Sequence, residues 1–211
     1  MGRLFSIENP FWQLINRLLH LILLNLLWFV CSIPIVTMGA ATTAVYSVTL
    51  KMARNQEGYT TRSFFKAFRE NFRQSTVIWL ILLVMGAIIG ADLMVYLRSS
   101  SVSPLGMLLM TAFFAAAVLF IFESVYVFAL QAYFDNSVKR TMGNALIMAV
   151  RHLPSSIAMT AAGVLLTALG VLVFPPVFLG GQALLAWINS FLLVRIFDRY
   201  QQPDSREETG L

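Results

Sequence analysis

"WFVCSIPIVTMGAATT", residues 28–43, carries a proline inside an apolar run that continues on both sides of it. If residues 18–36 are one span and 37–73 a loop, the chain crosses a membrane five times. That loop would begin "IVTMGAATTAVYSVTLKMA", where Lys51 is the only charge, and its later cations would hold it in the cytoplasm while Arg3 and Arg17 lay outside. If instead the chain reverses around Ser32, Ile33 and Pro34, residues 35–53 become a second span. Proline is accommodated in a first helical turn because the donor it lacks has no partner there, and Ser32 suits the cap. Gly39, Ala40, Ala41, Thr42, Thr43 and Ala44 then give the second span the small side chains that let helices approach in lipid. We read the stretch as a reversal, with six spans and both termini cytoplasmic. Every Lys and Arg except Arg98 then falls on the cytoplasmic side or at its boundary.

Composition demands a membrane. The chain is 58% hydrophobic and 12% charged, against roughly 25% charged in a soluble domain. The runs at 18–36, 77–97, 105–133, 157–174 and 177–197 approach the roughly 20 apolar residues that a crossing helix needs. The first run is too long for a signal peptide and lacks a small-x-small cleavage site. Cys31, the single cysteine, excludes an internal disulfide and reads as a small buried hydrophobe. The net charge of +5 does not point to nucleic acid, because its cations lie between apolar runs.

The expected fold is all-α: a transmembrane bundle of three hairpins, at about 11–53, 74–130 and 156–197, each preceded by an amphipathic helix. In "RSFFKAFRENFRQ", Arg62, Lys66, Arg69 and Arg73 share one arc while Phe64, Phe65, Phe68 and Phe72 share the other, the pattern of a helix at 62–73 lying in the membrane interface. "PFWQLINRL" and "VKRTMGNALIMAVRHLP" open the other hairpins; in the latter, Met142, Ala145, Leu146 and Ala149 form the apolar arc. Residues 1–197 form one transmembrane domain, and 198–211 read as a disordered cytoplasmic tail.

Ionisable groups inside spans are costly and warrant a functional hypothesis. Glu123, in "FIFESVYVF", is the strongest candidate, either facing a polar path or tied to Lys51 or Tyr46. Asn25, Gln182 and Asn189 complete a candidate polar path. Asp92 reads as interfacial beside Arg98, while Arg195 and Asp198 bracket the inner end of the last span. Gly39 reads as a packing residue, and Gly86 with Gly90 forms a GxxxG helix-approach motif. No phosphate loop, HExxH, G-x-S-x-G or Cys/His cluster occurs, so the sequence predicts neither an enzyme, nor a metal, nor a cofactor.

"NLLWFVCSIPIVTMGAATTAVYSVTLKMARNQEGY" followed by "SFFKAFRENFRQSTVIWLI" resembles the YesL family of bacterial integral membrane proteins. The likeness extends over nearly the whole chain in layout and is most specific at 25–39, 57–59 and 64–74. It implies a multi-pass protein of the bacterial plasma membrane whose family genes lie beside carbohydrate ABC importers and two-component regulators. From that association we expect an accessory or regulatory partner of carbohydrate uptake, touching importer or sensor subunits. "GNALIMAVRHLP" is similar to the helix such importers present to their ATPase, but it lacks the acidic-Ala-Ala start and the spaced glycine. The alternatives are an independent small-solute permease using the polar path, and a membrane scaffold that binds lipid through the Phe64 to Phe72 face.

Overall fold

A computed structural model describes residues 10–56, 58–98, 103–172 and 175–201. Among them are seven α-helices and no strand: α1 Pro10–Ser32, α2 Met38–Ala53, α3 Thr60–Arg98, α4 Pro104–Tyr133, α5 Val138–Arg151, α6 Leu153–Leu172 and α7 Pro175–Gln201. Four of them, α1, α3, α4 and α6, are long and apolar enough to cross a membrane. Their outward faces are apolar: Ile22 is 66% exposed, Val95 67% and Leu165 72%. Water would penalise so broad an apolar surface heavily, whereas lipid would not, so these helices mark a membrane protein.

The chain breaks where the proline predicts, with a different local geometry. Ser32 ends α1, Pro34 caps a 3-10 turn at Ile35–Thr37, and α2 begins only at Met38. Ser32 is therefore no helix cap. The Thr37 hydroxyl takes the finishing role, donating to the carbonyls of Cys31 and Pro34. Beyond the turn α2 runs back along α1. Trp28 Nε1 donates to Thr42 Oγ1 at 3.0 Å and Arg17 donates to Asn55 Oδ1 at 2.8 Å, pairs centred on residues 35 and 36. Residues 38–53 are helix where the five-crossing reading placed the start of a loop.

Contacts between α3 and α4 close about residues 103 and 104: Trp79 meets Phe128, Gly86 faces Phe120, and Tyr96 meets Phe113. Those between α6 and α7 close about residue 174, where Leu166 meets Gly181 and Gly163 faces Leu185. The connecting residues 99–102 and 173–174 lie outside the described residues, as does Arg3; the tail expected over 198–211 is helix as far as Gln201, and its remainder from 202 onward lies outside them too.

The amphipathic segments depart from the expected plan. Residues 62–73 are not a separate helix but the first turns of α3, which runs 39 residues without interruption. Nothing in "RENFRQSTVIW" breaks a helix, having neither proline nor glycine, so the basic segment continues straight into the apolar one. Phe64 and Ala67 of this segment are buried in the protein core, Phe68 is half-buried, and only Phe65 and Phe72 of the four aromatics are exposed. The segment that opens α1 is likewise part of α1. Only α5 stands as a short helix of its own, because the chain leaves helical geometry at His152 and α6 then opens on Leu153 and Pro154. Its buried side is Thr141, Ala145, Met148 and Ala149, while Leu146 faces outward.

At the centre lies α2. Twelve of its sixteen residues are buried, and it packs against α1, α3, α4 and α7. At about 24 Å by helical rise it is shorter than the roughly 30 Å apolar layer. Surrounded by protein, it has no lipid thickness to match.

Candidate functional site

One stripe of α2 carries Thr42, Tyr46 and Thr49, spaced i, i+4, i+7, and it faces polar groups of α1 and α7. From the Ser32 end of the bundle, Thr42 accepts from Trp28 Nε1 at 3.0 Å while donating to the Met38 carbonyl. Asn25 Oδ1 accepts the Ala183 amide at 3.2 Å, joining α1 to α7. Deeper in, the Asn189 side chain bonds the Tyr46 hydroxyl, and Ser190 Oγ donates to Thr49 Oγ1 at 3.0 Å. At the far end, Arg54 bonds both the Tyr133 hydroxyl and the Asp198 carboxylate, with its guanidinium 4.8 Å above the Tyr133 ring. The result is a polar seam along the α2–α7 contact, ending in a clamp that ties α2, α4 and α7 together.

The opposite stripe of α2 meets α3. Thr43 and Ser75 share a hydrogen bond of 2.9 Å. A Cβ on Gly39 would lie 2.5 Å from the Ser75 carbonyl oxygen and 2.6 Å from Trp79 Cβ, so α2 and α3 touch backbone to side chain there. Gly39 is thus the tight helix contact. The GxxxG pair is not: a Cβ on Gly86 would meet only the Phe120 ring at 3.2 Å, and one on Gly90 would find open space. A second polar knot joins α3, α4 and α5, where Gln131 Nε2 donates to Gln74 Oε1 at 2.6 Å and Asn71 Oδ1 at 3.2 Å, and its Oε1 accepts from Thr141 at 3.0 Å.

The candidate polar residues are gathered only in part. Asn25 and Asn189 belong to the seam, and Gln182 lines a cleft at its Ser32 end. Lys51 is exposed at the other end, beside His20 and Gln56. Glu123 is buried on the α4 face shared with Tyr126, Val127 and Leu130, and among the described residues it makes no ion pair with Lys51 and no hydrogen bond to Tyr46. Arg62, Lys66, Arg69 and Arg73 are all exposed, and Lys66 reaches Glu70 at 3.9 Å. The Arg54–Asp198 clamp and the Gln131 knot escaped sequence reading. A polar residue one turn from a span's end was the available signal, but a snorkelling side chain gives the same signal. Among the described residues no His, Cys, Asp and Glu cluster could hold a metal.

At the α5–α6 joint, His152 Nε2 hydrogen-bonds the Tyr200 hydroxyl at 3.2 Å. Burial first, then the nearby Arg151 and Arg199 charges, pull its pKa below the ordinary histidine value. The folded protein therefore favours neutral His152. Its contribution to holding α7 is full above about pH 6.5 and fades as pH falls through the lowered folded value. Protection against hydrogen exchange across 196–201, taken relative to the intrinsic rate at each pH, should fall as pH drops from 7.5 to 5.5, and His152→Gln should flatten that dependence. An equal loss of protection in the variant would refute the assignment.

Residues 21–93 match the family described as "Protein of unknown function, DUF624". The chain is 24% identical over 215 residues to "Uncharacterized protein YesL" of Bacillus subtilis (strain 168), covering 99% of this chain and 98% of that protein. No solved structure matches the chain. The family model matches the stretch from α1 into α3, and the likeness to the Bacillus subtilis protein runs nearly end to end.

Proposed function

We propose that the chain is a six-span protein of the bacterial plasma membrane, three hairpins with both termini cytoplasmic, that works by association as an accessory or regulatory partner of a carbohydrate ABC uptake system. On this reading α1, α2, α3, α4, α6 and α7 cross, and α5 lies at the cytoplasmic boundary. The observation that carries it is the outward face of α5. Leu146, Ile147 and Val150 are 41%, 61% and 50% exposed, with Lys139, Arg140 and Arg151 exposed around them. Apolar side chains ringed by cations suit a partner subunit that is itself half in and half out of the membrane. The uptake system is suggested by the family resemblance, not by the geometry. Non-enzymatic action is part of the proposal, since the polar groups of the seam and the Gln131 knot bond one another instead of converging on an open site.

Affinity capture of the full-length protein in mild detergent, from cells grown on an inducing polysaccharide, should recover importer or sensor subunits. Ile147→Asp should reduce recovery about tenfold. Absence of both classes from the captured material would overturn the association. Topology is checked separately in a Cys31→Ser background: Ile33→Cys should react with an impermeant maleimide added to intact cells, and Gln56→Cys should not. The reverse pattern would invert the orientation.

The permease reading keeps one observation in its favour. Asn189 is 2% exposed and its Oδ1 has no partner, a costly arrangement that a passing hydroxylated solute would relieve. Proteoliposomes should then release a trapped neutral sugar without ATP, and Asn189→Leu should abolish the release. No flux from wild-type protein removes this reading and leaves the first untouched.

A further inference from the structure

Where α1 ends, α6 and α7 stand apart from it and leave a cleft of about 400 Å³, within the size range of small-molecule sites. Trp28, Met38, Leu166 and Leu185 give it apolar walls, while Ser32, Thr167 and Gln182 supply its polar groups. Ser32 is 8% exposed, and its hydroxyl is buried without a hydrogen-bond partner. The reason is local. Thr37 bonds the Cys31 carbonyl, Thr42 serves Trp28, and the turn at Pro34 carries the chain away from Ser32. A buried hydroxyl with no partner costs free energy that a ligand's own polar group would recover.

The lining restricts the ligand's chemistry. Among the described residues no Lys, Arg, His, Asp or Glu faces the cleft, so a phosphate or carboxylate entering it would lose its hydration with no counter-charge from them in return. Its mouth is apolar, with Phe29 44% and Ile33 70% exposed. A ligand therefore arrives from the apolar surface around the bundle, not from water. The volume suits one slender molecule better than a two-chain lipid. We propose that this cleft is a binding site for a neutral, single-chain amphiphile, whose uncharged head hydrogen-bonds Ser32 and Gln182 and whose first methylenes lie against Trp28 and Leu166. This site stands apart from the α5 face and does not depend on the proposed association.

The test uses the full-length protein in nanodiscs of phosphatidylcholine and phosphatidylglycerol, with monooleoylglycerol carrying a diazirine in its acyl chain as the probe. Photolabel should map to peptides containing residues 28–38, 166–167 or 181–185. Unlabelled monooleoylglycerol should displace it saturably, while lysophosphatidylglycerol at equal concentration should not. Ser32→Val should weaken displacement about three- to tenfold, the worth of one hydrogen bond, and Ser32→Thr, isosteric with the valine variant but keeping the hydroxyl, should restore it. Thr167→Trp should fill the space and abolish labelling at these peptides. Label that monooleoylglycerol fails to displace, equal displacement by the anionic lipid, or an unchanged Ser32→Val response would each overturn the proposal. Should Thr167→Trp not fold, the wild-type displacement pattern and the Ser32 pair still decide it.

Discussion

Gly39→Ala is expected to destabilise the protein by about 2–3 kcal/mol, the range for overpacking a contact that cannot relax. The added methyl would sit 2.5 Å from the Ser75 carbonyl oxygen and 2.6 Å from Trp79 Cβ. Neither atom is the far end of a flexible side chain, so α2 and α3 must separate, and the buried Thr43–Ser75 hydrogen bond beside them lengthens. The midpoint of thermal unfolding in detergent should fall by roughly 5–10 °C. Gly90→Ala supplies the contrast, because a methyl there meets nothing within 4 Å and removes glycine from a helix interior, a gain of about 0.5–1 kcal/mol. Opposite signs for the two substitutions are the expected result. A matching loss at Gly90 would mean that it too sits at a close approach and that Gly39 is not distinguished by its contacts.

Gln131→Leu should cost about 2–4 kcal/mol, more than one lost hydrogen bond, because a single side chain serves three others. Gln131 is 3% exposed, and its amide holds Gln74 and Asn71 of α3 and Thr141 of α5. Leucine keeps the volume and strands those partners. Gln131→Glu should fall between wild type and leucine, since a carboxylate still accepts from Thr141 but cannot donate to the two amide oxygens. Proteolysis across residues 134–137, the link between α4 and α5, should accelerate in the same order. If Gln131→Leu unfolds at the wild-type midpoint, the three contacts carry no net stability and the knot is incidental.

The break after Cys31 and the run of small residues in α2 were legible because proline and glycine act through local sterics, which need no knowledge of neighbours. The burial of Gly39 followed from the same reasoning. The continuity of α3 was misread for the converse reason: amphipathicity reports which face is apolar, not whether the axis bends, and nothing between 69 and 79 bends it. The aromatic arc was visible, but whether Phe64 met lipid or protein depended on α3 lying against α2, a contact that no local pattern encodes. Glu123 drew notice as a charge in an apolar run, whereas Arg54 and Asp198 drew little, although these two form the clamp. Their partnership spans 144 positions, and pairing at that range is a property of the packed bundle. Likewise the unpartnered Ser32 hydroxyl arises because α2 opens only at Met38, too far along the chain for Ser32 to cap it.

The uninterrupted α3 has a mechanical corollary. Thirty-nine residues make a rod of about 58 Å, nearly twice the roughly 30 Å apolar layer. A rod without a joint is a lever: each degree of rocking about its Arg98 end carries Thr60 through about 1 Å. The four cations that begin at Arg62 ride on that arm, so a small change of tilt among the crossing helices would be delivered as a sweep of positive charge, magnified by length alone.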